Sequence, residues 1–134
     1  MRKIIYLNTS AVLAVASILS TAGPAAADSS SCTHHFSGPQ ICVRLEGSNV
    51  WNTPTAIWAN PPKHVKTRQV SLYVNGKRYA FDKNPATATR VGKTLSYTWN
   101  HDRWDAESKI CVRFKGIDRV ACERVKDIGD RAQF

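Results

Sequence analysis

Acidic side chains are scarce in this sequence. Ten Asp and Glu stand against 19 Lys and Arg in 134 residues, and the glutamates are Glu46, Glu107 and Glu123. Acid–base chemistry by glutamate therefore has few places to sit. No Gly-x-Ser-x-Gly elbow occurs, which removes the usual setting of a hydrolase serine. No Cys-x2-Cys pair occurs either, so the common zinc-ligand spacing is missing. Beyond residue 27, no apolar run reaches the roughly 18 residues of a membrane-spanning helix. Apolar residues also fail to recur at helical spacing. The nearest approach, Arg124–Gln133, is polar and terminal.

The first residues read as an export signal. Met1-Arg2-Lys3 is basic, an apolar run follows to Ala22, and Ala25-Ala26-Ala27 offers small residues for cleavage before Asp28. The expectation is a signal peptide over 1–27 and one secreted, extracellular domain over 28–134. That domain has 107 residues and a net charge of +7, since the leader removes two of the cations behind the printed +9. A chain of this size is a single domain. It has no room for a bound dinucleotide, and no cofactor is expected.

What is present is mostly strand-like. Ile41, Val43 and Leu45 alternate with Cys42 and Arg44, and Val70, Leu72 and Val74 alternate with Ser71 and Tyr73. Leu95, Tyr97 and Trp99 form a third such run, and Ile110, Val112 and Phe114 a fourth. Alternation of this kind marks half-buried strands. Asn75-Gly76 is a strong hairpin turn, with a return strand over Lys77–Phe81 that sets Leu72 opposite Tyr79 and Val70 opposite Phe81. A last strand is expected near Val120–Val125. The fold class is all-β: a small disulfide-stapled antiparallel sandwich or barrel with about six or seven strands. Gly47–Pro62, Asn84–Gly92 and Asn100–Ser108 read as long connections.

Four cysteines in an exported chain imply two disulfides. Counting outward from a Gly116-Ile117 turn sets Cys111 opposite Cys122. A similar count from Ser37 sets Cys32 opposite Cys42. Cysteines directly opposite on paired strands are close enough to bridge. The competing arrangement is an inter-sheet bridge from Cys42 to Cys111, as in immunoglobulin-like sandwiches. A weak internal echo links Ile41–Gly47 with Ile110–Gly116, read as two hairpins solving one packing problem.

Catalysis has one conceivable locus, His101 with Asp105 or Glu107, for a small secreted hydrolase or nuclease toxin. The neighbours His101 and Asp102 would point to opposite faces of a strand, which is not a catalytic geometry. His34-His35 could offer imidazoles to a metal with His64 or His101, but consecutive histidines in extended chain suit exposed turn residues better. No metal and no catalytic residue is expected. The cations spread over Lys63–Arg68, Lys77–Lys83 and Arg113–Lys126 favour steering toward acidic partners. Without aromatics interleaved among them, they do not indicate nucleic acid. Trp51, Trp58 and Pro61 in the Gly47–Pro62 connection, together with Arg78, Arg103 and Trp104, are the expected partner-binding residues. Tryptophan and arginine dominate interface hot spots, and proline pre-orders a loop. Trp99 reads as core.

As a whole the pattern is similar to small exported proteins of actinobacteria. Through Ile41-Cys42-Val43-Arg44, Ile110-Cys111-Val112-Arg113, Cys32 and Cys122 it resembles the small adaptor subunit of Streptomyces umbrella toxin particles. That resemblance implies a non-catalytic adaptor linking a lectin-bearing subunit to a large toxin-bearing subunit of an extracellular antibacterial complex. An N-terminal arm would be expected in such an adaptor, whereas only Asp28–Ser31 precede Cys32 in the mature chain. Secreted Streptomyces-type enzyme inhibitors share the outline, and for them Val50–Pro62 would be the loop that blocks a protease or glycosidase.

Overall fold

The computed structural model describes residues 28–36 and 38–126. The expected signal peptide over 1–27 and Ser37, from which the first hairpin is counted, lie outside these, as does the chain after Lys126. Among the described residues the fold is all-β. The strands are β1 (Ser29–Cys32), β2 (Gln40–Ser48), β3 (Trp51–Ala59), β4 (Thr67–Val74) and β5 (Lys77–Arg78). They continue as β6 (Ala86–Val91), β7 (Thr94–Thr98), β8 (Asp102–Arg103), β9 (Lys109–Phe114) and β10 (Val120–Arg124). Every pairing is antiparallel, in the order β1-β2-β3-β7-β6-β4-β9-β10, with β5 against β4 and β8 against β3. The sheet curls until β10 lies against β1 and β2, which nearly closes a barrel.

Alternation decides which residues fill it. Ile41, Val43 and Leu45 point inward from β2, Val70 and Leu72 from β4, and Ile110, Val112 and Phe114 from β9. Leu95 and Trp99 join them from β7 and the residue just after it. Side chains fill the interior of a barrel this small. Burial of aromatic and branched side chains drives its closure, at roughly 25 cal/mol per Å² of apolar surface removed from water.

Both disulfides form as the register predicts. Cys32 faces Cys42 across β1 and β2, and Cys111 faces Cys122 across β9 and β10. Their Cα separations are 4.0 and 4.1 Å, the close spacing of a non-hydrogen-bonded pair. The cysteines alternate with the inward residues, so both bridges sit on the outer side of the sheet. The echoing segments occupy like positions: each supplies the strand next to an edge, and its disulfide holds the edge strand.

Strands outnumber the expected six or seven for a physical reason. Gly47–Pro62 is mostly not a loop. Asn49, at φ 55°, turns the chain between Ser48 and Trp51, and β3 then runs through the middle of the sheet. Its inward positions are Asn52, Pro54, Ala56 and Trp58, a set with little apolar signal. Pro54 is tolerated because β3 changes partner there. β8 pairs with residues 51–52 and β7 with residues 55–59, so the missing N–H falls near the break in the ladder. Asn84–Gly92 likewise holds β6, whose inward residues Ala86 and Ala88 are too small to mark a strand.

The return strand after Asn75-Gly76 ends early. The turn forms as expected, with φ of 51° and 80°, and Tyr79 N–H donates to Leu72 O at 3.0 Å. Val70, however, faces Ala86 of β6 rather than Phe81. The Asn84 side chain fills the gap between β5 and β6. Its Oδ1 accepts from Leu72 N–H at 2.9 Å, and its Nδ2 donates to Leu72 O at 2.8 Å and Tyr79 O at 2.7 Å. Phe81 is released to the surface. The β9–β10 turn is also shifted by one residue. Lys115-Gly116 are its central pair, closed by Ile117 N–H to Phe114 O at 3.1 Å, while Arg113 still faces Val120 as counted.

Candidate protein-contact surface

The six residues expected to contact a partner divide into two groups. Trp58 is 5% exposed and Trp104 6%. Trp58 points into the barrel, edge-on to Phe114 with ring centroids 5.9 Å apart, and the Arg68 guanidinium lies 5.3 Å from its ring centre. Pro61 is buried too. Its carbonyl and that of Pro62 accept from Arg90 Nη2, at 3.3 and 2.6 Å, which ties the β3–β4 connection to β6. Trp58 and Pro61 therefore build the fold and are withdrawn as contact residues. They were misplaced because a buried strand and an ordered loop share the same mixture of Trp, Pro and small residues.

Trp51, Arg78, Arg103 and Trp104 do come together. Trp51 begins β3 and faces Arg103 of β8. It is 49% exposed, and its ring stacks on His101 with centroids 5.9 Å apart. His101 Nδ1 is 2.9 Å from Thr53 Oγ1, so the histidine is held on both sides. As the alternation requires, Asp102 points elsewhere: its carboxylate accepts a hydrogen bond from the Tyr79 hydroxyl. Trp104 lines a cleft of about 250 Å³, together with Arg78, Arg103, Tyr79 and Phe81. Its ring lies 5.8 Å from that of Tyr79, which is 5.6 Å from that of Phe81. Phe81 is 86% exposed.

The electrostatics of this end are consistent. Arg78 and Arg103 are exposed and their side chains make no hydrogen bond or ion pair with any described residue. Asp102 is the acid lining the cleft, and it is occupied by Tyr79. The Tyr79 phenol titrates above its ordinary range. Burial is the main cause, followed by the hydrogen bond to Asp102 and the charges of Asp102 and Asp82. It therefore stays protonated and keeps donating. The result is an apolar, aromatic depression flanked by unpaired guanidinium groups. Such a surface can take an apolar side chain while pairing with neighbouring carboxylates.

Comparison of the chain with protein-family models, curated proteins and solved structures finds no match.

Sequence reasoning missed Phe81, Tyr79 and Asp102. The turn-forming run Asp82-Lys83-Asn84-Pro85 carries the usable signal, because it ends the return strand and turns Phe81 out. The segment an inhibitor would use, Val50–Pro62, is largely strand β3, hydrogen-bonded on both sides. Among the described residues no group of three or more His, Cys, Asp or Glu is arranged to hold a metal ion, and no helix is long and apolar enough to cross a membrane.

Proposed function

We propose that this chain is a non-catalytic, secreted binding module whose partner is another exported protein. It would serve as an adaptor joining a lectin-bearing subunit to a large toxin-bearing subunit of an extracellular antibacterial complex. The observation that carries the reading is the grouping at one end of the barrel. Exposed Phe81 lines a cleft bordered by the unpaired Arg78 and Arg103, and the half-exposed Trp51 faces Arg103 across β3 and β8. A large exposed aromatic standing free in water gains most from burial against a second surface. The adaptor role itself is supported by the sequence resemblance carried on the two Ile-Cys-Val-Arg segments.

The test is affinity capture from the culture supernatant of the producing cells, using tagged wild type and the Trp51→Ala/Phe81→Ala double variant. The wild type should retain a lectin and a very large exported toxin. The variant should lose at least about 2 kcal/mol of binding, roughly thirtyfold, with an unchanged circular dichroism spectrum. A wild type that stays monomeric and retains no reproducible partner would overturn the reading.

A further inference from the structure

We propose that the outer face of β4 and β9 carries a binding groove for an anionic oligosaccharide, different in chemistry from the aromatic cleft with which it shares Arg78. The groove follows from the split in the sheet. β4 pairs with β6 up to Val70 and with β5 from Tyr73. Between them the Asn84 side chain stands in for a strand on the Leu72 backbone. Where the strand is missing, the outer surface opens into a cleft of about 360 Å³, within the size range of small-ligand sites.

Its floor is the outward row of β4: Gln69, Ser71 and Tyr73. Their side chains make no hydrogen bond with any described residue. Ser71 is mostly buried, and its hydroxyl, which has no partner among the described residues, opens to the solvent of the cleft. Gln69 is exposed and Tyr73 half-buried, so the three side chains present an open row of donors and acceptors along the floor of the cleft.

The walls are cationic. Arg113 faces Ser71 across β9, Arg78 faces Tyr73 across β5, and Lys115 follows β9. All three line the cleft, and no Asp or Glu does. Arg78 and Lys115 have no side-chain partner among the described residues. Arg113 meets Asp118 at 3.8 Å, but both side chains are well exposed, and such a pair is weak enough to exchange for a ligand anion.

A ligand that uses all of this needs hydroxyl groups for Gln69, Ser71 and Tyr73, a ring face for the tyrosine, and negative charge for the cations. An acidic sugar chain supplies all three. A plain anion would use the walls alone, and a neutral sugar the floor alone. The charge can come from a carboxylate or a phosphate, and the experiment separates the two.

The probes are tetragalacturonate, its neutral methyl ester, a glycerol phosphate hexamer and hexaglutamate, titrated calorimetrically into the full mature chain. Tetragalacturonate or the glycerol phosphate hexamer should bind, and whichever binds identifies the anion. For tetragalacturonate, the methyl ester should bind at least about tenfold more weakly, the loss of one charge-assisted hydrogen bond. Ser71→Ala and Lys115→Ala should each weaken the bound probe by about tenfold. Lys63→Ala, which removes a cation outside the groove, should not. Urea midpoints of all variants confirm folding, and the exposed turn position of Lys115 keeps the test open should Ser71→Ala unfold. Hexaglutamate binding as tightly as the sugar would overturn the proposal, since the groove would then read charge alone. Heatless titrations with both anionic polymers would also overturn it. Trp51→Ala should leave sugar binding unchanged, so failure here and failure of protein capture are distinguishable.

Discussion

Tyr79 shows how one residue couples the core to the surface. Its ring is buried against Trp104, while its hydroxyl donates to Asp102 at the edge of the cleft. Tyr79→Phe should destabilise the protein by about 1–3 kcal/mol at neutral pH, because a bond to a charged acceptor is lost and Asp102 keeps its charge. The difference should depend on pH with a definite sign. The folded-state phenol titrates above its ordinary value of 10.0. Its contribution is complete below pH 10 and is lost as pH rises beyond it, because the unfolded chain then releases a proton that the native state holds. Urea midpoints of both proteins from pH 8 to pH 11 check this, and the gap between them should narrow above pH 10. Tyr97 is shifted in the same direction, first by burial and then by Asp82, so the variant should retain a smaller alkaline loss. A gap that stays constant across that range would exclude the linkage. The four tryptophans teach a different lesson at this scale. Trp51 and Trp58 lie seven positions apart on one strand, an odd spacing that turns Trp58 into the barrel and Trp51 to the outer face, where its ring stacks on His101 and stays half exposed.

Among the elements, the two edge hairpins carry the cross-links. β1 and β10 are the ends of the strand order, and edge strands have unpaired backbone on one side. Each is bridged to its inner neighbour, over sequence separations of 10 and 11 residues. Closing loops of that size in the unfolded chain is worth about 2.5–3 kcal/mol each in the loop-entropy account. Replacing Cys32 and Cys42 by serine should therefore cost about that amount, and replacing Cys111 and Cys122 a similar one. Hydrogen exchange gives the sharper check: amides of β1 or β10 should lose protection first, while those of β3 and β7 keep theirs. A uniform rise across all strands would show that the edge hairpins do not open separately. The gap in the ladder of β4, closed by Asn84, belongs to this scale too. It releases Phe81 to one surface and opens the groove on another.

The whole chain is basic, with a formal net charge of +9. The exposed Arg78 and Arg103 flank the aromatic cleft, while the acid in that cleft is internally bonded. Association with an acidic partner should therefore be steered by charge and held by burial. Raising salt from about 0.05 M to about 0.5 M should slow association by about tenfold and leave dissociation within about twofold, because screening acts on the approach and not on the buried contact. Biolayer interferometry with the captured partner measures both rates. A dissociation rate that climbs with salt as steeply as association falls would place the affinity in the rim charges instead of the aromatics.

How far the chain could be read varies by residue. The alternation of Ile41–Leu45 and Ile110–Phe114 determined two strands and the all-β class, because period-two burial is a local property of the backbone. The Asn75-Gly76 turn and the pairing of opposite cysteines followed from counting, because register across a short hairpin is local as well. Strand β3 was not legible: its inward residues include an asparagine, a proline and an alanine, and only partners on both sides make it a strand. Phe81 fell to the same limit, since its exposure depends on β6 displacing the return strand from β4. The candidate site was half legible, with Trp51, Arg78, Arg103 and Trp104 named and Tyr79, Phe81 and Asp102 missed. Local patterning by itself determined the strand class, the hairpins and the disulfides. Closure of the sheet decided which tryptophans are core and which cations share a cleft, because burial belongs to surfaces that meet only when distant strands pair.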